Sequence, residues 1–491
     1  MCCGMADRAK PEQQHFLVVS GAAQGQITPA RRLARLLASR AGVRATLAVP
    51  LSALRRMFPS RASSSSSCRT EPPVLVLSGA DGVAYAAFSD GFDDGFQPAT
   101  CDGAAFVGRL RLVGPPTLTR LALALRAAGA PVTCVVYTLL LPFAADVARG
   151  LGVPAHFFWT MPAAALSLYH HYFHARHGLA DAADRVLDDP DRRVEVPGLE
   201  FLRAHDLPSL LTGPTPYLPC FREMFHVVEA NADDKQPLVL VNTFDALEKE
   251  ALASVPGIDL ELVPVGPMVG EDDDVDLFEQ DDEAGYMRWL DAQADGSVVY
   301  VSFGSIAVLS QEQLDEIRLG LDKTDRPFLW VLRRDNRDSG SGRMAPPLPA
   351  SDKGMVVEWC AQSRVLAHRA TGCFVTHCGW NSTVEAVACG VPMVTAPQWS
   401  DQPTNARMAE ALWGVAVRAE PDGGTVVRGA ELARRVEAVM GDGEEARAIR
   451  RRAREWKARA VAAVSEDGTM ARNLRRFVQG VAGAAATTER D

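Results

Sequence analysis

Six consecutive residues, His377-Cys378-Gly379-Trp380-Asn381-Ser382, stand between an apolar run at 373–376 and a helical pattern that reaches about Cys389. Gly390 stops that helix, and residues 391–396 form the next apolar run. The spacing predicts strand, turn, helix, strand, with Gly, Asn and Ser at the mouth of the helix. Free N–H groups and the helix dipole at such a mouth favour an anion such as phosphate. His377 adds a hydrogen-bond donor or partial positive charge there. Glu385 lies on the first turns, where a carboxylate can accept two sugar hydroxyls. Asp401 and Gln402 fall just past the carboxyl end of the second strand, where ligands bind in open α/β sheets. For the six residues alone, a purely structural unit with a capped helix is an equal reading.

Other groupings offer weaker chemistry. His170, His174 and His177 are spaced i, i+4, i+7, which suits one helical face and could bind Zn²⁺ or Ni²⁺, but the run contains no Cys or carboxylate. Lining of a pocket and plain helix packing are the competing readings. Asp272-Asp273-Asp274 sits in an acidic stretch and reads as solvated chain. Cys360, Cys373, Cys378 and Cys389 match no zinc spacing and read as packing residues. Asp90, Asp93 and Asp94 lack the full ligand spacing of a calcium loop. Gly304-Ser305 after an apolar run is a turn found in many α/β proteins.

These residues need elements to hold them. Short apolar runs at 15–20, 45–50, 74–78, 131–137, 156–160 and 238–241 alternate with helical patterns such as 29–39 and 143–151. A second series runs through 298–302, 327–332, 355–358, 373–376 and 393–396. Such alternation predicts two parallel sheets with helices on both faces. Residues 271–283 are acidic and aperiodic and are expected to link the two series. The serine run 63–67 reads as a surface loop, and residues 446–481 read as helical. The chain has 491 residues, with 51 Lys and Arg against 61 Asp and Glu. A net charge of −10 is a poor start for binding nucleic acid. No run approaches the ~18 apolar residues of a membrane span, and the start has no apolar leader segment. The ten cysteines follow no framework spacing, so reduced thiols and a cytoplasmic location are expected.

The whole segment 359–402 resembles, along its full length, the signature box of the plant secondary-product UDP-glycosyltransferases. VSFGS at 301–305, VNTFDALE at 241–248 and FSDGFDDGF at 88–96 extend the resemblance. It implies a GT-B fold, two Rossmann-like domains facing a central cleft. The expected boundaries are 1–262 for the acceptor domain, 263–283 for the linker and 284–462 for the donor domain. Residues 463–491 are expected to form a helix packing back on the first domain. By the family pattern Trp359 would stack on uracil, and Gln362 and Glu385 would hold the ribose. His377, Asn381, Ser382 and Ser305 would contact the diphosphate, and Trp380, Asp401 and Gln402 the sugar. Gln402 fits UDP-glucose as co-substrate, and no metal or other cofactor is implied. The partners would be UDP-glucose and a small-molecule acceptor, with the chain a monomer.

One position departs from the pattern. The family's base is a histidine in a Gly-His-Ile-x-Pro context, and here the residues are Gly25-Gln26-Ile27-Thr28-Pro29. A glutamine amide hydrogen-bonds but does not take a proton near neutral pH. Thr138 stands where many members carry the orienting aspartate, which resembles the branch of anthocyanin 5-O-glucosyltransferases and glucose-ester formers. A phenol of pKa ~10 is about 0.1% ionised at pH 7, whereas a carboxylic acid of pKa ~4 is already ionised. Loss of a general base costs roughly 10²–10⁴-fold. The expectation is therefore an inverting glucosyltransferase that favours ionised acceptors among phenolic, flavonoid, anthocyanin or carboxylic metabolites, hormones included. The alternative is a UDP-sugar-binding protein with weak or no transfer.

Overall fold

A computed structural model describes residues 13–59, 76–79, 81–96, 102–230, 237–253, 260–269, 283–333, 353–422 and 424–488. The chain divides into two compact units. One holds 1–22, 26–157 and 474–491, and the other holds 23–25 and 158–473.

The first unit begins with β1 (His15–Val19), α1 (Gln24–Ala41), β2 (Arg44–Pro50), α2 (Leu51–Met57), β3 (Val76–Ser78) and β4 (Ala84–Phe88). It continues through α3 (Gly103–Ala127), β5 (Cys134–Tyr137), α4 (Phe143–Leu151) and the first residues of β6 (Ala155–Trp159). β1 pairs in parallel with β2 on one side and β5 on the other, with Val18 opposite Leu47 and Val136. Phe16 to Val19 are wholly buried, as a central parallel strand covered on both faces requires.

The second unit takes over within β6 and adds α5 (Ala163–Phe173), α6 (Leu179–Asp184), α7 (Leu218–Ala230), β7 (Leu238–Val241), α8 (Lys249–Ala253) and β8 (Glu261–Pro264). The sheet containing these strands has the order β3-β4-β2-β1-β5-β6-β7-β8, with β3 antiparallel to β4. Next come α9 (Glu283–Asp291), β9 (Val298–Ser302), α10 (Gln311–Lys323), β10 (Phe328–Val331), β11 (Gly354–Val357), α11 (Gln362–Ala367) and β12 (Thr371–Thr376). α12 (Trp380–Cys389), β13 (Met393–Thr395), α13 (Gln402–Arg407), β14 (Ala416–Arg418), α14 (Gly429–Met440) and α15 (Glu444–Val464) complete it, and α16 (Thr469–Thr488) starts in the second unit and belongs to the first from Leu474 on. The second sheet, β11-β10-β9-β12-β13-β14, is parallel throughout. Val299, Val301, Trp330, Val375 and Val394 form its core with Leu314, Ile317 and Val436 of the flanking helices. The chain adopts the expected α/β class with two sheets, parallel except for the edge strand β3.

The structure departs from the sequence reading in several places. α1 begins at Gln24, before the expected start at Pro29, so Gln26 lies in its first turn and Pro29 inside the helix. The 446–481 stretch is two helices, broken between Val464 and Thr469. A side chain at Gly468 would run into the Ala463 carbonyl, which marks the break. α5 stops at Phe173, so His177 lies beyond the helix and outside the face shared by His170 and His174. The serine run and the acidic triplet lie outside the described residues, as does all of the expected linker core except Glu283, which opens α9. Asp90 and Asp93 accept bonds from Phe92 N and Ser89 Oγ, and Asp94 pairs with Arg55, so the 88–96 loop is held by its own carboxylates.

One buried charge anchors α13. Asp206 is fully buried, accepts from Arg418 Nη1 at 3.0 Å and from the Arg203 N–H at 3.0 Å, and lies 3.7 Å from Arg407 Nε. Its carbonyl accepts from Thr404 Oγ1 at 2.6 Å. Removing this fully buried carboxylate leaves Arg418 and Arg407 with only the more exposed Glu420 and Glu410, and the Arg203 N–H without its acceptor. Asp206→Ala should therefore lower stability by about 3 kcal/mol in a urea titration, and an unchanged unfolding midpoint would refute this anchoring role.

Candidate active site

The second unit gathers ten of the twelve singled-out residues at the carboxyl ends of its parallel strands. Thr383 N bonds back to the Gly379 carbonyl, so the N–H groups of Trp380, Asn381 and Ser382 precede the helical ladder, and no side chain caps them. The turn that feeds this helix is sterically fixed. Cys378 has φ +64°, and its N–H, carbonyl and sulfur bond to Thr376 Oγ1, Asn405 Nδ2 and Thr383 Oγ1. These three bonds hold a backbone conformation that costs about 1–3 kcal/mol in a non-glycine residue.

His377 sits in a slot made of glycine. A Cβ at Gly304 or at Gly379 would lie 2.6 Å from its Nε2, and Gly304 has φ +73°. Arg333 fixes the Gly304 side of the slot through the carbonyls of Gly304 and Ala307, the first at 2.5 Å. Burial, with the Arg333 charge acting the same way, lowers the imidazole pKa to about 4 against the partial support of the Ser302 carbonyl. The ring is thus neutral at pH 7, and of the two sequence options it offers a hydrogen bond and not a charge. Ser305 follows Gly304 on an exposed loop.

Gln362 links the next pair. Its Nε2 lies 2.9 Å from Ser382 Oγ and 2.8 Å from Glu385 Oε2, and its Oε1 accepts from Tyr300 OH at 3.2 Å. Tyr286 OH accepts the Ala361 N–H, which holds the half-buried Trp359 loop next to α11. Asp401 is buried, and burial raises its pKa to about 6 against the bond from Asn405 Nδ2 at 2.8 Å. Gln402 Oε1 accepts the N–H groups of Gln398 and Trp399 at 2.8 and 3.0 Å. Two backbone donors can face only the amide oxygen, so the NH₂ is turned away from them.

Two side chains are engaged with protein groups. Trp380 Nε1 donates to the Asn242 carbonyl at 2.7 Å, and only its backbone N–H remains at the helix mouth. Asn381 Oδ1 accepts from Asn242 Nδ2 at 3.3 Å, and its Nδ2 donates to the Gly25 carbonyl at 2.7 Å. That carbonyl is available because Pro29, four residues on, has no N–H to give it. Sequence reasoning missed Asn242, Tyr286, Tyr300 and Arg333. Asn242 stood in the quoted 241–248 segment, but nothing in its type distinguished it from a loop asparagine.

Gln26 and Thr138 belong to the first unit. Gln26 Oε1 accepts from the Gly21 N–H at 3.2 Å and from Thr138 Oγ1 at 3.3 Å. The backbone donor fixes the amide orientation, so the Gln26 NH₂ points away from both. A Cβ at Gly21 would lie 2.4 Å from Gln26 Oε1, so glycine is required for this approach. Thr138 is fully buried at the end of β5.

This donor-rich helix mouth, a carboxylate pair and two parallel-sheet units define a nucleotide-sugar transferase of the GT-B fold. The UDP-glucoronosyl and UDP-glucosyl transferase family model matches residues 263–449. Crocetin glucosyltransferase, chloroplastic, of Gardenia jasminoides is 39% identical, over 95% of this chain and 97% of that one. Anthocyanidin 3-O-glucoside 5-O-glucosyltransferase 1 of Perilla frutescens is 38% identical over 96% of this chain and 100% of that one. Among solved structures, Os79 from O. sativa in complex with UDP superposes with a TM-score of 0.80 at 31% identity, covering 95% of this chain and 100% of that one. The chain belongs to this family and is a UDP-glycosyltransferase. Among its described residues no helix is long and apolar enough to cross a membrane.

The His377 slot yields a direct test. In ¹⁵N NMR the ring should stay neutral from pH 8 down to about 5 and titrate near 4. Gly304→Ala, which forces the imidazole out of the slot, should move that titration back toward the ordinary 6.5. A wild-type ring that titrates near 6.5 would contradict the geometry.

Proposed function

We propose that the chain transfers glucose from UDP-glucose, with inversion, to a small plant metabolite, and that its acceptor is already anionic, a carboxylate forming a glucose ester. Support for the glucosyl donor and small acceptor comes from relatives named as glucosyltransferases of crocetin and of anthocyanidin glucosides. In this reading Trp359 stacks on uracil, while Gln362 and Glu385 hold the ribose. The backbone N–H groups of Asn381 and Ser382 bind the diphosphate together with Ser305 and neutral His377. The helix mouth then stabilises departing UDP without a metal. Asp401 accepts sugar hydroxyls, and the Gln402 NH₂ donates to one.

The observation that carries the acceptor assignment is the orientation of Gln26. Its oxygen is engaged by Gly21 and Thr138, so what it offers is a donor. A donor cannot deprotonate a phenol, but it can hold an oxygen that is already negative. On matched acceptors, wild type should glucosylate a carboxylic acid at least about 10²-fold faster than a phenol of pKa ~10. Gln26→His should raise phenol transfer most. Efficient phenol transfer with no carboxylate product would overturn the reading. No transfer by wild type alongside transfer by Gln26→His would favour the UDP-sugar-binding alternative.

Asp401 gives the donor a pH signature. Its pKa of about 6 means that acid protonates it, whereas sugar hydroxyls bind its ionised form. UDP-glucose affinity should fall about fourfold between pH 7.5 and 5.5 in wild type, while UDP affinity should follow only its own terminal phosphate, and equally in wild type and Asp401→Asn. Calorimetry of both ligands on wild type and Asp401→Asn decides it, because the variant should lose the dependence.

A further inference from the structure

α5 and α7 bring three ligand-bearing side chains together. His170 lies in the last turn of α5 and His174, one turn on, is its C-cap residue, while Glu229 lies near the end of α7. Their nearest ligand atoms all fall within 4.8 Å of one another. Glu229 Oε1 is 3.5 Å from His170 Nδ1 and 3.4 Å from His174 Nε2. These separations are too long for strong hydrogen bonds. They match the edge of a tetrahedron around zinc, because bonds of about 2.0–2.1 Å at the tetrahedral angle place ligand atoms about 3.3–3.4 Å apart.

Two further observations point to a cation. His170 is buried, its side chain only 4% exposed, yet neither ring nitrogen has a hydrogen-bond partner among the described residues. An imidazole without partners at that depth lacks the compensation that buried polar groups normally have. His174 Nδ1 lies 2.9 Å from the His170 carbonyl, so it carries the proton and leaves Nε2 as a lone-pair donor facing Glu229.

We propose that His170, His174 and Glu229 form a divalent transition-metal site, a two-histidine, one-carboxylate set suited to Zn²⁺, that ties α5 to α7. The half-exposed edges of His174 and Glu229 admit the ion from solvent and leave a fourth position for water. The two rings are stacked at 4.0 Å and 25° from parallel, so binding swings them until both lone pairs converge. Arg176 opposes the ion's charge, and the Glu229 carboxylate offsets it. His177 is no ligand, because it turns to face the His171 ring at 4.8 Å.

Zinc chloride titrated calorimetrically into the full, tag-free, chelator-treated chain tests this. One equivalent should bind and raise the melting temperature. His174→Ala, at a solvent-facing position, and Glu229→Gln, which keeps the shape, should each weaken binding at least about tenfold and abolish the melting shift. No saturable zinc binding overturns the proposal. Binding that neither variant weakens also overturns it, because the ion then sits elsewhere.

Discussion

The imidazole of His377, confined between Gly304 and Gly379, is the constraint on which the donor-side geometry turns. The slot exists only if β9 and β12 end in register and release their chains at the same height. Their parallel pairing through Thr376 and Ser302 does this. The strained Cys378 then rotates the chain so that the first N–H groups of α12 are uncapped, and the bonds at Thr376, Asn405 and Thr383 hold that rotation. Close packing also dehydrates the ring, which explains why it is neutral. A neutral imidazole gives up electrostatic attraction for a diphosphate but keeps a directed hydrogen bond. The positive end of the helix dipole supplies the field instead.

Around this turn the large polar side chains act mainly on protein. Asn242 accepts from Trp380, donates to Asn381 and accepts the Met268 N–H, so one residue fixes two of the six turn residues. Glu248 accepts the N–H groups of Ala163 and Ala164 and so caps α5, whose N-cap, Pro162, offers no side-chain bond. Burial raises the Glu248 pKa to about 7 despite those bonds. The 241–248 segment thus carries structural work at both ends. The helix mouth at Trp380 has no such carboxylate and, like those of α11 and α15, no side-chain cap.

The strands and helices around the turn were legible because fully buried parallel strands read as unbroken apolar runs, and Gly390 marked the end of α12 with a left-handed φ of +72°. β4, β8 and β14 went unread, β4 although it is five residues long and mostly buried, because the Ala-rich 84–88 run and the Glu- and Arg-containing 261–264 and 416–418 runs lack an unbroken series of large apolar residues. The break in the C-terminal helical stretch was hidden because Arg-rich, largely exposed turns look alike on either side of it. At the site, residue types were legible but atom-level roles were not. Nothing in the sequence says that the Trp380 indole would face Asn242, or that Asn381 would find a carbonyl released by a proline 352 positions earlier in the chain.

The same limit applies at Gln26, where identity suggests only a lost base and geometry adds a direction. A histidine accepting a proton needs its lone pair toward the acceptor and its N–H toward a fixed partner. Gln26 inverts that arrangement. The Gly21 N–H is a donor that cannot be turned into an acceptor, so it draws the amide oxygen inward, and Thr138 adds a second donor beside it. Thr138 carries no charge, so it cannot stabilise an imidazolium at this point as a carboxylate would. Gln26 and Thr138, far apart in the sequence, therefore act together: Thr138 Oγ1 supplies a proton donor that the amide oxygen accepts and an ionised aspartate could not provide. The pair forms a self-consistent neutral arrangement in which the amide oxygen is engaged by two donors and the NH₂ is turned away from them.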